Sequence, residues 1–345
     1  MRISGSVILV AAMCCAVAPA QSLRELADKR GIRVGAAVDP GRLSEELYAA
    51  TLAREFNQVE PENAMKFGSI QPTETGFNYG PADAIVAFAK AHHMAVRGHT
   101  LVWHKQNPGW IVRGTFTPEQ LSAALQEHIR SLVGHYAGEV YAWDVVNEAF
   151  NDDGTLRSTI WRDTPGIGLA GTAYVEQAFR WAHEADPKAL LFYNDYSAET
   201  VNAKSDAIYK MVQDFRARGV PISGVGLQMH LTARGIALDR LETNIKRIGE
   251  LGLQVQITEF DMRLPVDAAG VATAEALAKQ AEVYRDITTL CLKYPQCTAI
   301  QIWGFTDKYS WIPRTYPGTG AGLLFDPGYQ AKSSYEAMKT ALQAR

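Results

Sequence analysis

Two glutamates stand at the ends of apolar runs, where a carboxylate can face an open site. Glu148 comes directly after the run at 143–147, and Glu259 follows the run at 254–258. Cleaving the acetal bond between two sugars needs one carboxylic acid to protonate the leaving oxygen and a second carboxylate at the anomeric carbon. A separation of about 5 to 5.5 Å between such groups gives retention through a covalent intermediate. Either glutamate alone is most simply a salt-bridge partner, but together they indicate an acid/base and nucleophile pair.

The residues around these glutamates suit the two roles. Asn147 can hydrogen-bond a sugar 2-hydroxyl, an interaction that strengthens in the transition state. His230 and Asp261 can flank Glu259 and hold it oriented through a hydrogen bond. Glu148 is expected beside the negative charge of Glu259. We therefore predict that the pKa of Glu148 is raised until Glu259 loses its charge by forming the glycosyl bond.

Aromatic and amide side chains collect at the same predicted strand ends. Sugars stack their C–H faces on flat apolar rings, while their hydroxyls seek polar side chains. The expected stacking residues are Trp103, Trp303, Trp311 and Tyr196, and the expected hydroxyl partners are Asn63, Lys66, Gln106 and Gln228. Trp143 and Trp181 lie within strand-like or helix-like runs, so we predict that they belong to the core.

Short apolar runs, which we predict to be strands, must bring these residues to one edge of a sheet. Amphipathic segments alternate with these runs along the chain. The predicted strands are 32–38, 56–60, 95–102, 140–147, 190–194, 225–230, 254–260 and 299–305. The predicted helices include 81–92, 118–136, 174–184, 203–218, 238–251 and 274–292. About eight βα units predict a single-domain α/β fold, the (β/α)8 TIM barrel, whose active sites lie at the carboxyl ends of the strands. An open doubly wound sheet is the alternative.

The N-terminal segment predicts a secretory leader. Arg2 precedes an apolar stretch at 7–17, and small residues end it before Gln21, so we expect residues 1–20 to be removed and 21–345 to form the catalytic domain. The protein is therefore expected to be secreted, either to the medium or to the periplasm. A membrane anchor is less favoured because a bilayer needs about 20 apolar residues. Lipoprotein processing at Cys14 or Cys15 remains a minority interpretation.

Charge and cysteine usage narrow the class of protein further. The 34 basic and 37 acidic residues are interspersed and the net charge is -3, so nothing predicts a nucleic-acid partner. Beyond the leader, only Cys291 and Cys297 remain, and an oxidising destination favours a disulfide over two free thiols. His99, His104, His230 and Asp261 are possible metal ligands, but His99 and His104 would point to opposite faces of a strand. No metal and no cofactor are predicted.

Six motifs in order resemble family 10 of the glycoside hydrolases, the β-1,4-xylanases, from about Leu23 to the C-terminus. They read VEPENAMK at 59–66, RGHTLVWH at 97–104, WDVVNEA at 143–149, GLQMH at 226–230, ITEFD at 257–261 and WGFTDKYSW at 303–311. The family is a (β/α)8 barrel, which agrees with the strand count. Two positions depart from the family pattern: Phe67 stands where Trp is frequent, and Lys105 stands where a small or neutral residue is commoner.

The resemblance implies retaining, endo-acting hydrolysis of xylan, with Glu148 as general acid/base and Glu259 as nucleophile. It implies that the glycone side is lined by Glu62, Asn63, Lys66, His99, Trp103, Gln106, Gln228, His230, Trp303 and Trp311. It places Tyr196 on the leaving side, and Cys291 and Cys297 look like the disulfide of that family. The expected partners are xylan or xylo-oligosaccharides, and the chain is expected to be a monomer without a membrane contact.

Three alternatives stay open at this point. A β-1,4-glucanase on the same barrel would use identical carboxylate chemistry, and one extra hydroxymethyl group discriminates by only about 1 to 3 kcal/mol. A metal-dependent barrel hydrolase would be sensitive to a chelator. A non-catalytic carbohydrate-binding protein would explain the aromatic residues, although it would not need both glutamates.

Overall fold

The computed structural model describes residues 21–344, so the predicted leader at 1–20 and the two cysteines within it lie outside the described residues. Ten strands follow in chain order. They are β1 Arg33–Val38, β2 Gln58–Pro61, β3 Ala95–Val102, β4 Val140–Asn147, β5 Leu190–Asp195, β6 Gly224–Leu227, β7 His230–Thr232, β8 Gln254–Pro265, β9 Cys297–Ile302 and β10 Thr319–Gly320.

Eight of these strands close into a parallel barrel. The neighbours run β1-β2-β3-β4-β5-β6-β8-β9, and β9 pairs with β1 to complete the ring. The predicted TIM barrel is therefore confirmed, and the open doubly wound sheet is excluded because the sheet has no free edge among these eight strands. The two short strands β7 and β10 pair with β8 beyond the barrel.

Helices cover the outside of the barrel and follow most strands. They are α1 Leu23–Arg30, α2 Glu46–Glu55, α3 Phe67–Ile70, α4 Gly80–Ala91, α5 Gly109–Arg113, α6 Pro118–His135, α7 Ala173–Ala185, α8 Ala203–Ala217, α9 Leu238–Glu250, α10 Ala274–Lys293, α11 Ile312–Thr315 and α12 Ser333–Gln343. The six helices predicted from the sequence agree with α4 and α6–α10 to within one residue at most ends. Local signals set these ends: Thr117 caps α6 and Asn202 caps α8, each in a reciprocal capping box.

Three predicted strands are wrong in detail. β8 continues past 260 to Pro265, β9 is Cys297–Ile302 instead of 299–305, and a third strand is divided. The sequence at 225–230 reads as a continuous strand, but the structure divides it into β6 and β7. Met229 lies between the two strands with φ 67°, in the left-handed region, and its N–H donates to Glu199 Oε1 at 3.0 Å. A strand cannot continue through this conformation, so His230 is re-aimed toward β8, where it lies opposite Asp261.

The apolar core lies between the barrel and its helices, whereas much of the barrel interior is polar. Trp143 and Trp181 are buried, as predicted. Gly98 allows Trp143 to approach, because a Cβ at residue 98 would lie 2.2 Å from the indole ring. At the bottom of the barrel, Gln58 donates to Gln301 at 2.6 Å. These polar layers lead directly to the strand ends that carry the site.

Two further features concern the predicted surroundings of the protein. Cys291 and Cys297 form a disulfide that joins the end of α10 to the start of β9. Within residues 21–344, none of the helices has the length and apolar composition required to cross a bilayer.

Candidate active site

A cleft of about 590 Å³ opens at the carboxyl ends of the barrel strands. It brings together every residue predicted to be catalytic or to bind substrate. These are Glu62, Asn63, Lys66, His99, Trp103, Gln106, Asn147, Glu148, Tyr196, Gln228, His230, Glu259, Trp303 and Trp311. Asp261, predicted to support Glu259, lies behind the cleft and not in its wall. The predicted residues therefore share one basin, as the strand-end pattern indicated.

The backbone at Glu148 adopts an uncommon conformation as β4 ends. Its φ is 60°, in the left-handed region that few residues other than glycine occupy. Surrounding hydrogen bonds hold this turn: the N–H of Glu148 donates to Asn194 O at 2.9 Å, and Arg157 Nε donates to the carbonyl of Glu148 at 3.0 Å. The next N–H, of Ala149, donates to the hydroxyl of Tyr193 at 2.9 Å. Backbone strain at a cleft residue, fixed from several sides, indicates a functional position.

A chain of amide groups connects the two glutamates across the cleft floor. Asn194 Nδ2 donates to Glu259 Oε1 at 2.7 Å and to Asn147 Oδ1 at 3.0 Å. Gln228 Nε2 donates to the same Asn147 oxygen at 3.1 Å and to Glu148 Oε1 at 3.2 Å. The amides come from β4, β5 and the loop after β6, so the closed barrel fixes where each carboxylate points.

Glu259 has a second partner in His230, which lies between two carboxylates. His230 Nε2 lies 2.9 Å from Glu259 Oε2, and Nδ1 lies 3.0 Å from Asp261 Oδ2. Trp311 Nε1 donates to the same Asp261 oxygen at 2.7 Å. Burial opposes a charge on His230, but Asp261 and then Glu259 outweigh it and raise the pKa of His230 well above its usual value. Both ring nitrogens then act as donors.

The surroundings of Glu148 contradict its expected pKa. Burial raises the pKa of Glu148, but the N–H groups of Trp103 and Gln228 and the charge of Lys105 lower it, so the pKa lies below its usual value. Gln228 makes a hydrogen bond, whereas Trp103 Nε1 faces the carboxylate without completing one. The predicted raised pKa is therefore wrong for the free protein, because donors rather than the charge of Glu259 dominate around this carboxylate.

His104 is the nearest titratable neighbour of Glu148. Its Nδ1 lies 3.7 Å from Glu148 Oε2. Burial lowers the pKa of His104 to about 4, and Glu148 only partly opposes this effect. At neutral pH the imidazole is consequently uncharged, and Glu148 Oε2 has a weak polar neighbour instead of a fixed cation.

The predicted sugar-binding residues form two groups within the cleft. On one side, Lys66 Nζ lies 4.8 Å from the ring centre of Trp103 and donates to Asn63 Oδ1 at 3.0 Å. On the other side, Lys204 lies 3.5 Å from the ring centre of Tyr196, and Arg157 donates to its hydroxyl at 3.0 Å. Both aromatic platforms are thus held in place by cations.

Several cleft residues were not assigned from the sequence. Asn194, which is buried behind the cleft wall and donates to Glu259, ends a predicted strand, and that position is the signal that would have found it. Others lining the cleft, which no local pattern marks, are Ser197, Glu199, Arg263, Arg314, Thr315 and Tyr316. Arg263 enters because β8 continues to Pro265, past the predicted end at 260, where β7 and β10 pair with it.

The four candidate metal ligands do not form one cluster. His104 faces Glu148, and His230 bridges Glu259 and Asp261. His99 lies elsewhere, with Nδ1 3.0 Å from Asp144 Oδ2. The histidines are therefore divided among separate carboxylates within the described chain.

Comparison with known proteins gives one consistent family. The profile described as Glycosyl hydrolase family 10 matches residues 22–341. Endo-1,4-beta-xylanase B of Thermotoga neapolitana is 44% identical over 326 residues, which cover 94% of this chain and 92% of that protein. Beta-1,4-xylanase of Dictyoglomus thermophilum is 42% identical over 313 residues, covering 88% and 86%. The crystal structure of xylanase 10B from Thermotoga petrophila in complex with xylobiose has a TM-score of 0.90 at 45% identity, covering 94% and 98%.

Proposed function

The chain belongs to glycosyl hydrolase family 10, a retaining family, and on this premise we propose that it hydrolyses internal β-1,4 bonds of xylan and xylo-oligosaccharides. Relatives that match nearly the whole chain are named as β-1,4-xylanases, and one similar structure holds xylobiose. The observation that carries the mechanism is the pair of strand-end glutamates, Glu148 and Glu259, connected by amide groups across one cleft.

In the first step, a Glu259 oxygen attacks the anomeric carbon and forms a covalent ester. The bond from that carbon to the glycosidic oxygen breaks, and Glu148 donates its proton to the departing oxygen. His230 and Asn194 hold Glu259 from both of its oxygens, so its direction of attack is fixed. Each carboxylate oxygen has a second lone pair that remains for the carbon.

In the second step, Glu148 removes a proton from water, and the water oxygen attacks the same carbon. The ester bond breaks, Glu259 becomes a carboxylate again and the released sugar keeps its configuration. Because donors lower the pKa of Glu148 in the free protein, the first step requires substrate to change its surroundings. A glycosidic oxygen that displaces water beside Oε2 would favour the protonated form.

The rest of the cleft supports binding of an extended sugar chain. Trp103, Trp303, Trp311 and Tyr196 all line the cleft, and we assign the three tryptophans to the glycone side and Tyr196 to the leaving side, with the cleavage point between two binding regions. Bound sugar on both sides is what cleavage within a chain requires. The same features would allow β-1,4-glucan to bind if its hydroxymethyl groups fit, which the first experiment decides.

The test compares residues 21–345 with Glu148→Ala and Glu259→Ala, using xylan, a soluble β-1,4-glucan and an aryl xylobioside with a good leaving group. Chelator is present throughout. We expect more product from xylan than from glucan, and loss of all activity in Glu259→Ala. Glu148→Ala should lose activity on xylan. It should still form the covalent ester at Glu259 with the aryl substrate, because that leaving group needs no proton.

A matched control and the contrary outcomes complete this test. Glu282→Ala removes a glutamate from the exposed side of α10 and should leave every rate unchanged. Equal or greater release from glucan would overturn the substrate, and no release from any substrate would favour a carbohydrate-binding protein. Inactivation by the chelator would favour a metal-dependent hydrolase.

We further propose that the protein is secreted after removal of residues 1–20 and acts as a monomer. A disulfide between Cys291 and Cys297 supports an oxidising destination. Expression of the full chain should give a mature product that begins at Gln21 and has the mass of one chain in solution. A product that retains residues 1–20 and stays in the membrane fraction would contradict secretion, as would a lipid-modified N-terminus.

A further inference from the structure

A fully buried carboxyl group below the cleft, that of Glu60 on β2, takes no part in the mechanism above. Neither of its side-chain oxygens has a hydrogen-bond donor among the described residues. One oxygen of Glu60, one of Asp144 and a ring nitrogen of His99 lie within 4.8 Å of one another. A buried polar group without a partner needs an explanation.

The nearest cation to this cluster, Arg97, is already committed to the other carboxylate. Its Nη2 contacts Asp144 Oδ1, and its Nε donates to Asp144 Oδ2 at 3.3 Å. Nη1 donates to Gln256 Oε1 at 2.5 Å. Glu60 Oε2 lies 3.9 Å from Arg97 Nε, beyond hydrogen-bond distance. Arg97 and Asp144 therefore neutralise each other. His99 Nδ1 lies 3.5 Å from Glu60 Oε1 but closer, at 3.0 Å, to Asp144 Oδ2, so an ionised Glu60 beside a neutral His99 would be a buried charge without its own partner.

The other charged groups that face Glu60 do not change this balance. Glu259 on β8 adds negative charge from above. Lys66, at the end of the loop after β2, is attracted by Glu60 but also by Glu259 and Glu62. A single proton shared between the carboxyls of Glu60 and Asp144 would satisfy both the charge and the missing hydrogen bond.

We propose that Glu60 holds this proton at neutral pH, donates it to Asp144 and thereby acts as a positioning residue for His99. Burial and the adjacent Asp144 raise the pKa of Glu60 well above its usual value, against the influence of Arg97, which agrees with this assignment. Asp144 then accepts three kinds of donor: the guanidinium of Arg97, the carboxylic acid of Glu60 and the Nδ1–H of His99.

The consequence for the cleft lies at the far side of the His99 ring. Nδ1 is 3.0 Å from Asp144 Oδ2, so the proton of a neutral imidazole resides there. Nε2 is then unprotonated, and it is the polar atom that His99 can offer in the cleft. When the proton shared by Glu60, Asp144 and His99 resides on Glu60, His99 Nε2 is an acceptor for a sugar hydroxyl. With that proton on His99, it would present a donor instead.

A metal ion is a poorer explanation for the same cluster. Glu60, His99 and Asp144 are ligand types, but the guanidinium of Arg97 already occupies Asp144 and would repel a second cation. The first explanation requires a protonated Glu60 carboxyl group, whereas the second requires a bound metal ion. Both can be tested on the folded protein without any substrate.

The first experiment reads the proton directly, and its result does not depend on the proposed xylanase function. Infrared difference spectra of wild type and Glu60→Gln at pH 7 should show a carboxylic-acid carbonyl band that the variant lacks. Nitrogen-15 NMR of labelled histidine, with His99 assigned through His99→Asn, should show a neutral ring protonated at Nδ1. Absence of the band, an imidazolium at His99, or a stoichiometric metal ion after dialysis would each overturn the proposal.

The second experiment reads the positioning role, which does rest on the proposed function. Glu60→Leu removes the donor to Asp144 and should lower kcat/KM on xylo-oligosaccharides by about tenfold or more. Glu60→Gln keeps a neutral donor and should restore most of this loss and the wild-type His99 tautomer. Equal impairment in both variants would contradict the role assigned to the proton, whereas an inactive wild type would count against the proposed function alone.

Discussion

Replacing Asp261 with Asn tests whether His230 works as a charged group beside Glu259. In the structure, His230 is held between two carboxylates, with distances of 2.9 Å to Glu259 Oε2 and 3.0 Å to Asp261 Oδ2. Asp261→Asn keeps the size of the side chain and one acceptor oxygen. It removes the Asp261 charge, which raises the pKa of His230 more than the charge of Glu259 does. Trp311 also loses an anionic acceptor.

The magnitude follows from the geometry. Two unit charges about 4 Å apart interact by about 4 kcal/mol at an effective dielectric constant of 20, and about 1.4 kcal/mol corresponds to one pKa unit. Loss of the Asp261 charge should therefore lower the pKa of His230 by about 1 to 3 units. His230 has a raised pKa, so the favourable effect of its charge is complete below its unfolded value of 6.5 and disappears as pH rises through the folded value.

The assay measures kcat/KM against pH with an aryl xylobioside whose leaving group needs no proton, so that titration of Glu148 does not limit the alkaline side. Asp261→Asn should move the alkaline loss of activity to lower pH by about 1 to 3 units, and thermal stability should begin to fall at lower pH as well. Trp311→Phe is the matched control, because it removes the donor to Asp261 but leaves the charge. An unchanged alkaline limb in folded Asp261→Asn would refute the reasoning.

Three further predictions concern stability. Burial lowers the pKa of His128 from 6.5 to about 3, so the protein loses stability as pH falls below about 6.5. By pH 4.5 this loss is about 2.7 kcal/mol. Urea unfolding should show that His128→Phe loses less stability than wild type between pH 7 and 4.5. Ser at both Cys291 and Cys297 should cost about 2 kcal/mol in the same assay, since the disulfide closes a short loop with a sequence separation of 6. Lys204→Met should lower stability mainly above pH 7, where Asp195, whose pKa burial raises to about 7, is charged and loses the ammonium 2.8 Å away; an equal loss at pH 5 would contradict this assignment.

The barrel could be predicted because its signals are local. A parallel strand covered on both faces is a short apolar run, and most runs in this chain end within one residue of the observed strands. The errors occurred where distant residues decide. The division at Met229 depends on Glu199, thirty positions earlier, and the extension of β8 to Pro265 depends on β7 and β10.

The members of the site were also predictable, but their protonation was not. A polar residue at the carboxyl end of a barrel strand faces the same basin as its neighbours, so residue type and position are sufficient to bring Glu148 and Glu259 together. The pKa of Glu148 depends instead on which N–H groups point at it, and Trp103 and Gln228 reverse the expected direction. Glu60 lies within a recognisable motif, yet the sequence cannot show that its oxygens lack a donor.

The contrast between the two glutamates follows from how firmly each oxygen is held. Glu259 accepts from Asn194 at one oxygen, at 2.7 Å, and from His230 at the other, at 2.9 Å. These two hydrogen bonds fix the orientation of the carboxylate. A fixed orientation suits a nucleophile that must approach one carbon along one line. Glu148 accepts from Gln228 at Oε1, whereas Trp103 Nε1 faces the carboxylate without completing a hydrogen bond and His104 Nδ1 is 3.7 Å from Oε2. An oxygen without a strong donor can release a proton to the leaving group and then take one from water. The hydrogen bonds of the free protein thus already distinguish the group that forms the ester from the group that transfers the proton.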